Sequence, residues 1–472
     1  MQTTVAPTRA RHFIRSLPPG PKRPAIIQLL EWAHHPDELM LACREKYGDA
    51  FTLLFPSFGP QVFFSHPDAI KEIFTGSAEV YRAGESNAFL EPIVGRNSLL
   101  LLDGDRHLTE RKMILPPFHG ERMQAYGETM QSIVRSSIER WPIGQRFAIQ
   151  PIMQTITLEI ILSTVFGLDA TDEHAVLRDK LQRLLAAGSN PLYLLRLFQV
   201  DLGPLTSWGE LKRLKQDVER MILQAIAARR RQKVRGNDVL SMLIEAKDEN
   251  GVGLDDAQLL DEMVTLLVAG HETTATALAW AIYHLHTNVD VLDALKKEIE
   301  TVTEGRAIAL DHLPKLELLD AVVKETLRLT PVIPVVGRHL STPQIIAGHL
   351  LPADAYALPC GFLTHRRPDL YPDPERFKPA RFLSMRPSPY EFLPFGGGVR
   401  RCVGMAFAMY EMKVVLGEIV SRAILRIAPN YEARVFHRSI TLAPKGGVPV
   451  IVADRQERVI GSSSRPSPCP FG

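Results

Sequence analysis

Apolar residues recur at steps of three and four over most of this chain, and that period predicts helices over residues 121–168, 175–188, 206–234 and 238–247. β-rich pattern is confined to residues 51–54, 62–65, 424–428 and 448–453, which are expected to be short strands. The longest helical stretch runs from about 255 to 286 and opens on Asp255 and Asp256, residue types that cap a helix and complement its dipole. It is apolar on most faces through 263–269 and again through 275–282, so burial across the protein is expected. Gly270, His271, Glu272, Thr273 and Thr274 interrupt that apolar character. A buried carboxylate and two hydroxyls are costly unless bonded or hydrated, so the run implies a wet notch with a function. The alternative is that Thr273 and Thr274 simply bond back to carbonyls of their own helix.

The pattern reads as a mainly α protein with small β-sheets, in a single domain over 17–460 between a flexible arm (1–16) and a disordered tail (461–472). No repeat or linker isolates a second domain. A formal charge of +2 on 472 residues gives no case for nucleic acid as a partner. Cys43, Cys360, Cys402 and Cys469 lie far apart with no CxxC spacing, which argues against a zinc site or a disulfide framework and fits a reducing compartment. No run approaches the roughly 18 apolar residues of a membrane span, and no export signal is evident, so a cytoplasmic protein without an integral span is expected. A basic stretch (Arg9, Arg11, Arg15, Lys22, Arg23) surrounds Leu17-Pro18-Pro19-Gly20-Pro21 and reads as a solvated arm.

Residues 395–404 read Phe-Gly-Gly-Gly-Val-Arg-Arg-Cys-Val-Gly, directly before an apolar helical run at 405–420. Gly396, Gly397, Gly398 and Gly404 permit a tight backbone around Cys402, and the dipole of the following helix is expected to favour its thiolate. The pattern Phe395-x-x-Gly398-x-Arg400-x-Cys402-x-Gly404 resembles the cysteine-ligand loop of the cytochrome P450 haem-thiolate monooxygenases. Two further motifs carry the same resemblance. Ala269-Gly270-His271-Glu272-Thr273-Thr274 is similar to the family's oxygen-activation motif, and Glu325-x-x-Arg328, with Pro374-Glu375-Arg376-Phe377 downstream, is similar to its structural triad.

The resemblance implies the P450 fold, with the long helix lying over haem b (iron protoporphyrin IX) and Cys402 as the iron ligand. It implies that Thr273 and Glu272 serve oxygen activation, the first by hydrogen bonding dioxygen and the second by relaying protons, while Gly270 leaves room for oxygen. His271 is expected to be packed, since an axial histidine would block the oxygen position. Arg400, His107 and Arg111 of a His-x-x-x-Arg pattern, and Arg338 are the implied partners of the haem propionates. Glu325, Arg328 and Arg376 would lock the cysteine loop.

The implied activity is insertion of one atom of dioxygen into a hydrophobic substrate by a monomer, with electrons from a separate ferredoxin or flavodoxin and its reductase. Lys112, Arg401 and Lys413 are expected to offer the electron carrier a basic face. A peroxygenase or isomerase of the same haem-thiolate type, and a non-enzymatic haem sensor, are the competing classes. The pocket segments implied are 89–100, 192–198, 332–336 and the turn at Thr441 and Leu442; being mostly aliphatic, they suit long-chain fatty acids, terpenoids or polyketides.

Overall fold

The computed structural model describes residues 16–456, apart from 119–121, 168–171, 189–199, 202, 204–205, 232–235 and 439. The expected arm, tail and pocket segment 192–198 therefore lie wholly or almost wholly outside the described residues. The expected mainly helical architecture holds. The central helix, Asp256–Thr287, is capped by the Asp255 side chain, with Gln258 reciprocating toward the Asp255 amide. Its apolar stretches are largely buried, including Met263, Leu267, Leu278 and Ile282, with Ala269 exposed. The helix Ile149–Phe166 packs along it, and both belong to the main hydrophobic core. Ile149–Phe166 is apolar and long enough to cross a membrane, but most of it is buried inside the protein, which makes it a core helix.

The predicted helix over 121–168 is two helices, Arg122–Ile138 and Ile149–Phe166, separated by a short strand, Arg146–Ala148. The Trp141-Pro142 turn and Gly144, with φ at +75°, end the first helix. Arg146–Ala148 joins a three-stranded sheet with Pro449–Arg455 and Ala423–Ile427, the last two close to their predicted positions. The other main sheet has five strands, in the order Ala50–Leu53, Gln61–Phe64, Tyr356–Pro359, Arg338–Leu340 and Tyr81–Arg82. Phe51 and Phe63 are cross-strand partners in it, and their rings stack at 4.9 Å. Two hairpins, Gln344–Ile346 with His349–Leu351 and Val435–Arg438 with Thr441–Pro444, complete the β structure among the described residues.

Candidate functional site

Cys402 lies in the loop between Gly398–Arg400, a single 3-10 turn, and the helix Met405–Arg422. The loop closes on itself: the Cys402 amide donates to the Phe395 carbonyl at 3.0 Å, and the Arg401 amide to the Gly398 carbonyl at 3.2 Å. Gly396 and Gly398 adopt φ of +66° and +65°, a region that favours glycine. Gly397 is required for another reason, since a Cβ there would sit 2.3 Å from the Phe74 ring. Gly404 answers to neither demand. Its φ is −82°, and a Cβ would meet no atom within 4 Å. The space beside it is open, and Cys402, two residues before it, is exposed.

The Cys402 side chain is exposed, but it lies deep enough that desolvation raises its thiol above the usual range. The Gly404 N–H, Arg111 and Arg401 act in the opposite direction without prevailing. The helix start therefore helps the thiolate, but by itself does not outweigh burial, contrary to the sequence expectation.

The cationic residues named from sequence converge beside this loop. Arg400 donates to the carbonyls of Leu99, Leu100 and Leu102, and its nearest carboxylate is Asp103 at 3.9 Å. Arg338, buried, donates to Gly337 and Gly397 carbonyls and lies 5.4 Å from the Phe74 ring centroid. Burial pulls both guanidinium groups down to about 10, with Arg400 adding to the effect on Arg338. His107 is buried too. Desolvation, then Arg400, Arg111 and Arg338 in turn, lower it to about 3, so its imidazole is neutral at ordinary pH. Arg111 reaches the cysteine loop itself, donating to the Arg401 carbonyl at 2.5 Å.

Three arginines and a histidine thus share a partly buried region in which Asp103 is the one carboxylate within 4 Å of Arg400 or Arg338 among the described residues. Such an excess of positive charge fits a bound dianion. The segment supplying carbonyls to Arg400 is held from its far side by the central helix. Asp261 accepts from the Asn97 amide and side chain, both at 2.9 Å, and Glu262 accepts from the Leu99 amide at 2.6 Å. Burial lifts the Glu262 carboxyl to about 8.

On the central helix, Ala269 is exposed and Thr273 half-buried, although the flanking turns are buried. The polar run thus borders accessible space in an otherwise mostly buried helix. The Thr273 hydroxyl donates to the Ala269 carbonyl at 2.6 Å, which is the back-bonded arrangement weighed as the alternative. Glu272 points elsewhere: it accepts from Gln154 Nε2 at 2.8 Å and pairs with Arg438 Nε at 3.3 Å. Burial raises its carboxyl, and Arg438 only partly offsets this. Gly270 is explained by packing, because a Cβ would stand 3.0 Å from Ile161 Cδ1 on the neighbouring helix. His271 is packed, as expected, and burial lowers it to about 4.

Glu325 and Arg328 form a fully buried bidentate pair at 2.7 and 3.0 Å. The third member is Arg381, whose Nε donates to Glu325 at 3.1 Å; Arg376 is exposed and contributes only its carbonyl, to Arg328. Two Arg-Phe steps, 376–377 and 381–382, stand five residues apart, and Pro379-Ala380-Arg381-Phe382 is the one that turns inward. From the pair a chain of bonds leads to the cysteine loop. Arg328 donates to the His365 carbonyl at 2.7 Å, and the Leu393 amide, two residues before Phe395, donates to His365 Nε2 at 3.0 Å.

Of the pocket segments, the Leu442 amide donates to the Val332 carbonyl at 2.8 Å, and Trp280 Nε1 of the central helix donates to the Leu442 carbonyl at 2.9 Å. The structure therefore brings 332–336 and the Thr441 turn together beside the central helix. Sequence reasoning missed Arg438 and Gln154, which no local motif marks, and Arg381, which the Pro-x-Arg-Phe repeat could have revealed.

A mainly helical fold with a glycine-framed cysteine, a cationic cluster and a polar notch in a buried helix defines the class of a haem-thiolate protein. The comparisons agree. The cytochrome P450 family model matches residues 18–447, and the chain belongs to that family, whose members are haem monooxygenases. It is 38% identical over 451 residues to cytochrome P450 135B1 of Mycobacterium tuberculosis, covering 95% of this chain and 93% of that one. Cytochrome P450 137 of the same organism is 32% identical, with 87% and 84% covered. Among solved structures, a retinoic acid-bound cyanobacterial P450, CYP120A1, superposes with a TM-score of 0.82 at 25% identity, covering 93% of this chain and all of that one. The P450DA haem domain superposes at 0.83 with 22% identity, covering 94% and 99%, which bears on the fold alone.

Proposed function

We propose that Cys402 is the proximal ligand of the haem, that Arg400, Arg338 and His107 hold its two carboxylates, and that Arg111 braces the ligand loop and lowers the cost of negative charge on the sulfur. The observation that carries this reading is the surplus of largely buried positive charge, on Arg338 and Arg400, next to a cysteine loop whose Cys402 is exposed. Phe395 and Gly398 shape the loop, the first through its carbonyl bond to Cys402 and the second through its positive φ. When bound, the haem supplies reductive activation of dioxygen and its insertion into an unactivated C–H bond or alkene.

The chain's own residues position the substrate and meter protons. Glu272, raised by burial and steadied by Gln154 and Arg438, can take up a proton from the side of the hairpin that carries Arg438. The Thr273 hydroxyl, accepting while it donates to Ala269, can hold a proton donor within the notch. Thr273→Ala is expected to keep haem content and substrate binding, while product formed per NADPH consumed falls about tenfold and peroxide takes up the difference. Unchanged coupling would remove Thr273 from proton delivery.

The substrate class proposed is an extended apolar molecule, a long-chain fatty acid first and terpenoids or polyketides next. The buried Val332 and Leu442 support that choice, as does the retinoic acid, an apolar carboxylic acid, bound to the cyanobacterial P450 of similar fold. A spectral-shift screen over these three classes tests it. Fatty acids that give no shift, while a terpenoid or macrolide does, would replace the first choice.

Electrons are proposed to come from a separate ferredoxin or flavodoxin. The expected basic face is narrower than the sequence implied, because Lys112 pairs with Glu249 at 2.7 Å and Lys413 with Asp320 at 3.3 Å. Arg401 is exposed and borders the cysteine, so it is the remaining candidate of the three for steering. Arg401→Glu is expected to slow stopped-flow reduction by a ferredoxin severalfold at low salt and to flatten its salt dependence, whereas Lys413→Glu does little. Rates and salt slopes unaffected by Arg401→Glu would eliminate this docking face.

A further inference from the structure

Glu262 is 1% exposed, and the group bonded to it is neutral, since only the Leu99 amide donates to Oε1 among the described residues. A buried carboxylate ordinarily meets a cation or gives up its charge. The charged side chains acting on Glu262 are Glu110 and Arg106 of the helix Gly104–Ile114, and Asp261 beside it. Glu110 and Asp261 each oppose its ionisation more than Arg106 favours it. The Arg106 guanidinium is engaged elsewhere, by Glu110 at 2.8 Å and by Asn97 Oδ1 at 2.9 Å. Glu110 lies against the same face of the central helix, because its Oε1 accepts from Gln258, four residues before Glu262. Its Oε2 is buried with no hydrogen-bond partner among the described residues. Arg96, the remaining cation of the segment above, is exposed.

The segment that Glu262 holds is pressed onto the helix at neighbouring points as well. The hydroxyls of Thr265 and the fully buried Ser98 lie 2.7 Å apart. At Gly95, with φ at +81°, a Cβ would stand 2.0 Å from Asp261 Oδ1. Leu99 is where this hold meets Arg400. Its amide goes to Glu262 and its carbonyl accepts from Arg400 at 3.3 Å, with the carbonyls of Leu100 and Leu102 taking the other Arg400 bonds. One peptide unit therefore separates Glu262 from each end of the Leu99 link.

We propose that Glu262 is a positioning residue for the haem and acts as a neutral acid: uncharged, it keeps Leu99 on the central helix and so fixes Arg400 in place. This rests on the assignment of Arg400 to the haem carboxylates. A pH dependence of definite sign follows. If segment 95–102 lifts and water reaches Glu262, its carboxyl returns to the ordinary value of 4.5, against about 8 in the closed arrangement. Between those values only the closed arrangement carries the proton, so rising pH favours the open one, by about tenfold per pH unit at most. Above about 8 neither carries it, and the dependence ends.

The test is transfer of haem from the full-length protein to excess apomyoglobin, followed from about pH 6 to about pH 9. Transfer from the unmodified protein should accelerate with pH and level off above about 8. Glu262→Gln keeps an oxygen for the Leu99 amide and cannot ionise, so its transfer should stay slow across the range. Glu262→Ala removes the acceptor and should transfer haem quickly throughout. Hydrogen-exchange protection of amides 95–102, corrected for intrinsic rates, should fall with pH in the unmodified protein and hold constant in Glu262→Gln. The proposal is overturned if Glu262→Gln retains the pH dependence of the unmodified protein in either measurement. It is equally overturned if Glu262→Gln loses haem as fast as Glu262→Ala, since the charge would then be what holds the segment. Arg400→Gln separates this proposal from the assignment beneath it. A variant that holds haem as tightly as the unmodified protein removes Arg400 from the haem, and the proposal falls with that assignment. One that releases haem readily while its transfer keeps the full pH dependence overturns the proposal alone, because Glu262 then acts by another route.

Discussion

Replacing Glu325 with alanine is expected to yield a chain that accumulates poorly or emerges with little haem. Arg328 has no measurable exposure, and its guanidinium would lose both bonds to Glu325 while remaining in the core. Stranding one partner of a buried pair costs about 3–5 kcal/mol, a large share of the stability of an ordinary domain. Glu325 also accepts from the Lys378 amide and from Arg381, so the loss reaches both segments at once. The effect on haem follows from the path through His365 to Leu393, which fixes the entrance to the cysteine loop. Arg381→Ala should be milder, because the bidentate pair survives it, and Arg376→Ala nearly silent, because only its carbonyl is used. Haem-to-protein ratio and thermal unfolding of the purified variants measure this order. A Glu325→Ala protein with full haem occupancy, wild-type stability and lowered turnover would mean that the triad is catalytic rather than a scaffold.

The parts of the molecule legible in sequence are those governed by local period or by a contiguous motif. The central helix was readable because its apolar positions repeat for several turns and its cap lies in the adjacent residues, Asp255 with Gln258. The strands Tyr81–Arg82 and Arg338–Leu340 were not, because two or three residues carry no period and their pairing is set by partners far along the chain. The same division runs through the candidate site. Cys402, Arg400 and the glycines stand in one run of ten residues, whereas the partners of Glu272, Gln154 and Arg438, come from separate elements that only the fold brings together.

Glycine shows the limit of reading residues by type. A Cβ at Gly270 would crowd Ile161 on the neighbouring helix, a contact its motif does not reveal, while Gly398 does need the positive φ that its place in the loop suggested. The assignment of Arg376 as the third member failed for a related reason. Arg376 and Arg381 both precede a phenylalanine, and only burial distinguishes the charge that meets Glu325 from the one left in solvent.

The claim on which the account rests is that Cys402, and no other thiol, binds the haem iron. Cys43 and Cys360 are buried within one hydrophobic cluster with Met40, Phe51 and Phe63, so neither sulfur is open to a flat group; burial raises all three thiols, and accessibility rather than acidity distinguishes Cys402. Cys402 alone of the described cysteines is exposed, with Arg111 and Arg401 nearby to favour negative charge. The decisive measurement is the absorption spectrum of the reduced carbon-monoxide complex of Cys402→Ser beside that of the unmodified protein, at matched haem content. A serine oxygen donates far less electron density to iron than a thiolate does, so the long-wavelength band characteristic of thiolate ligation should disappear and turnover should fall by orders of magnitude. A Cys402→Ser protein that retains both the band and its turnover would place the ligand elsewhere and contradict the account.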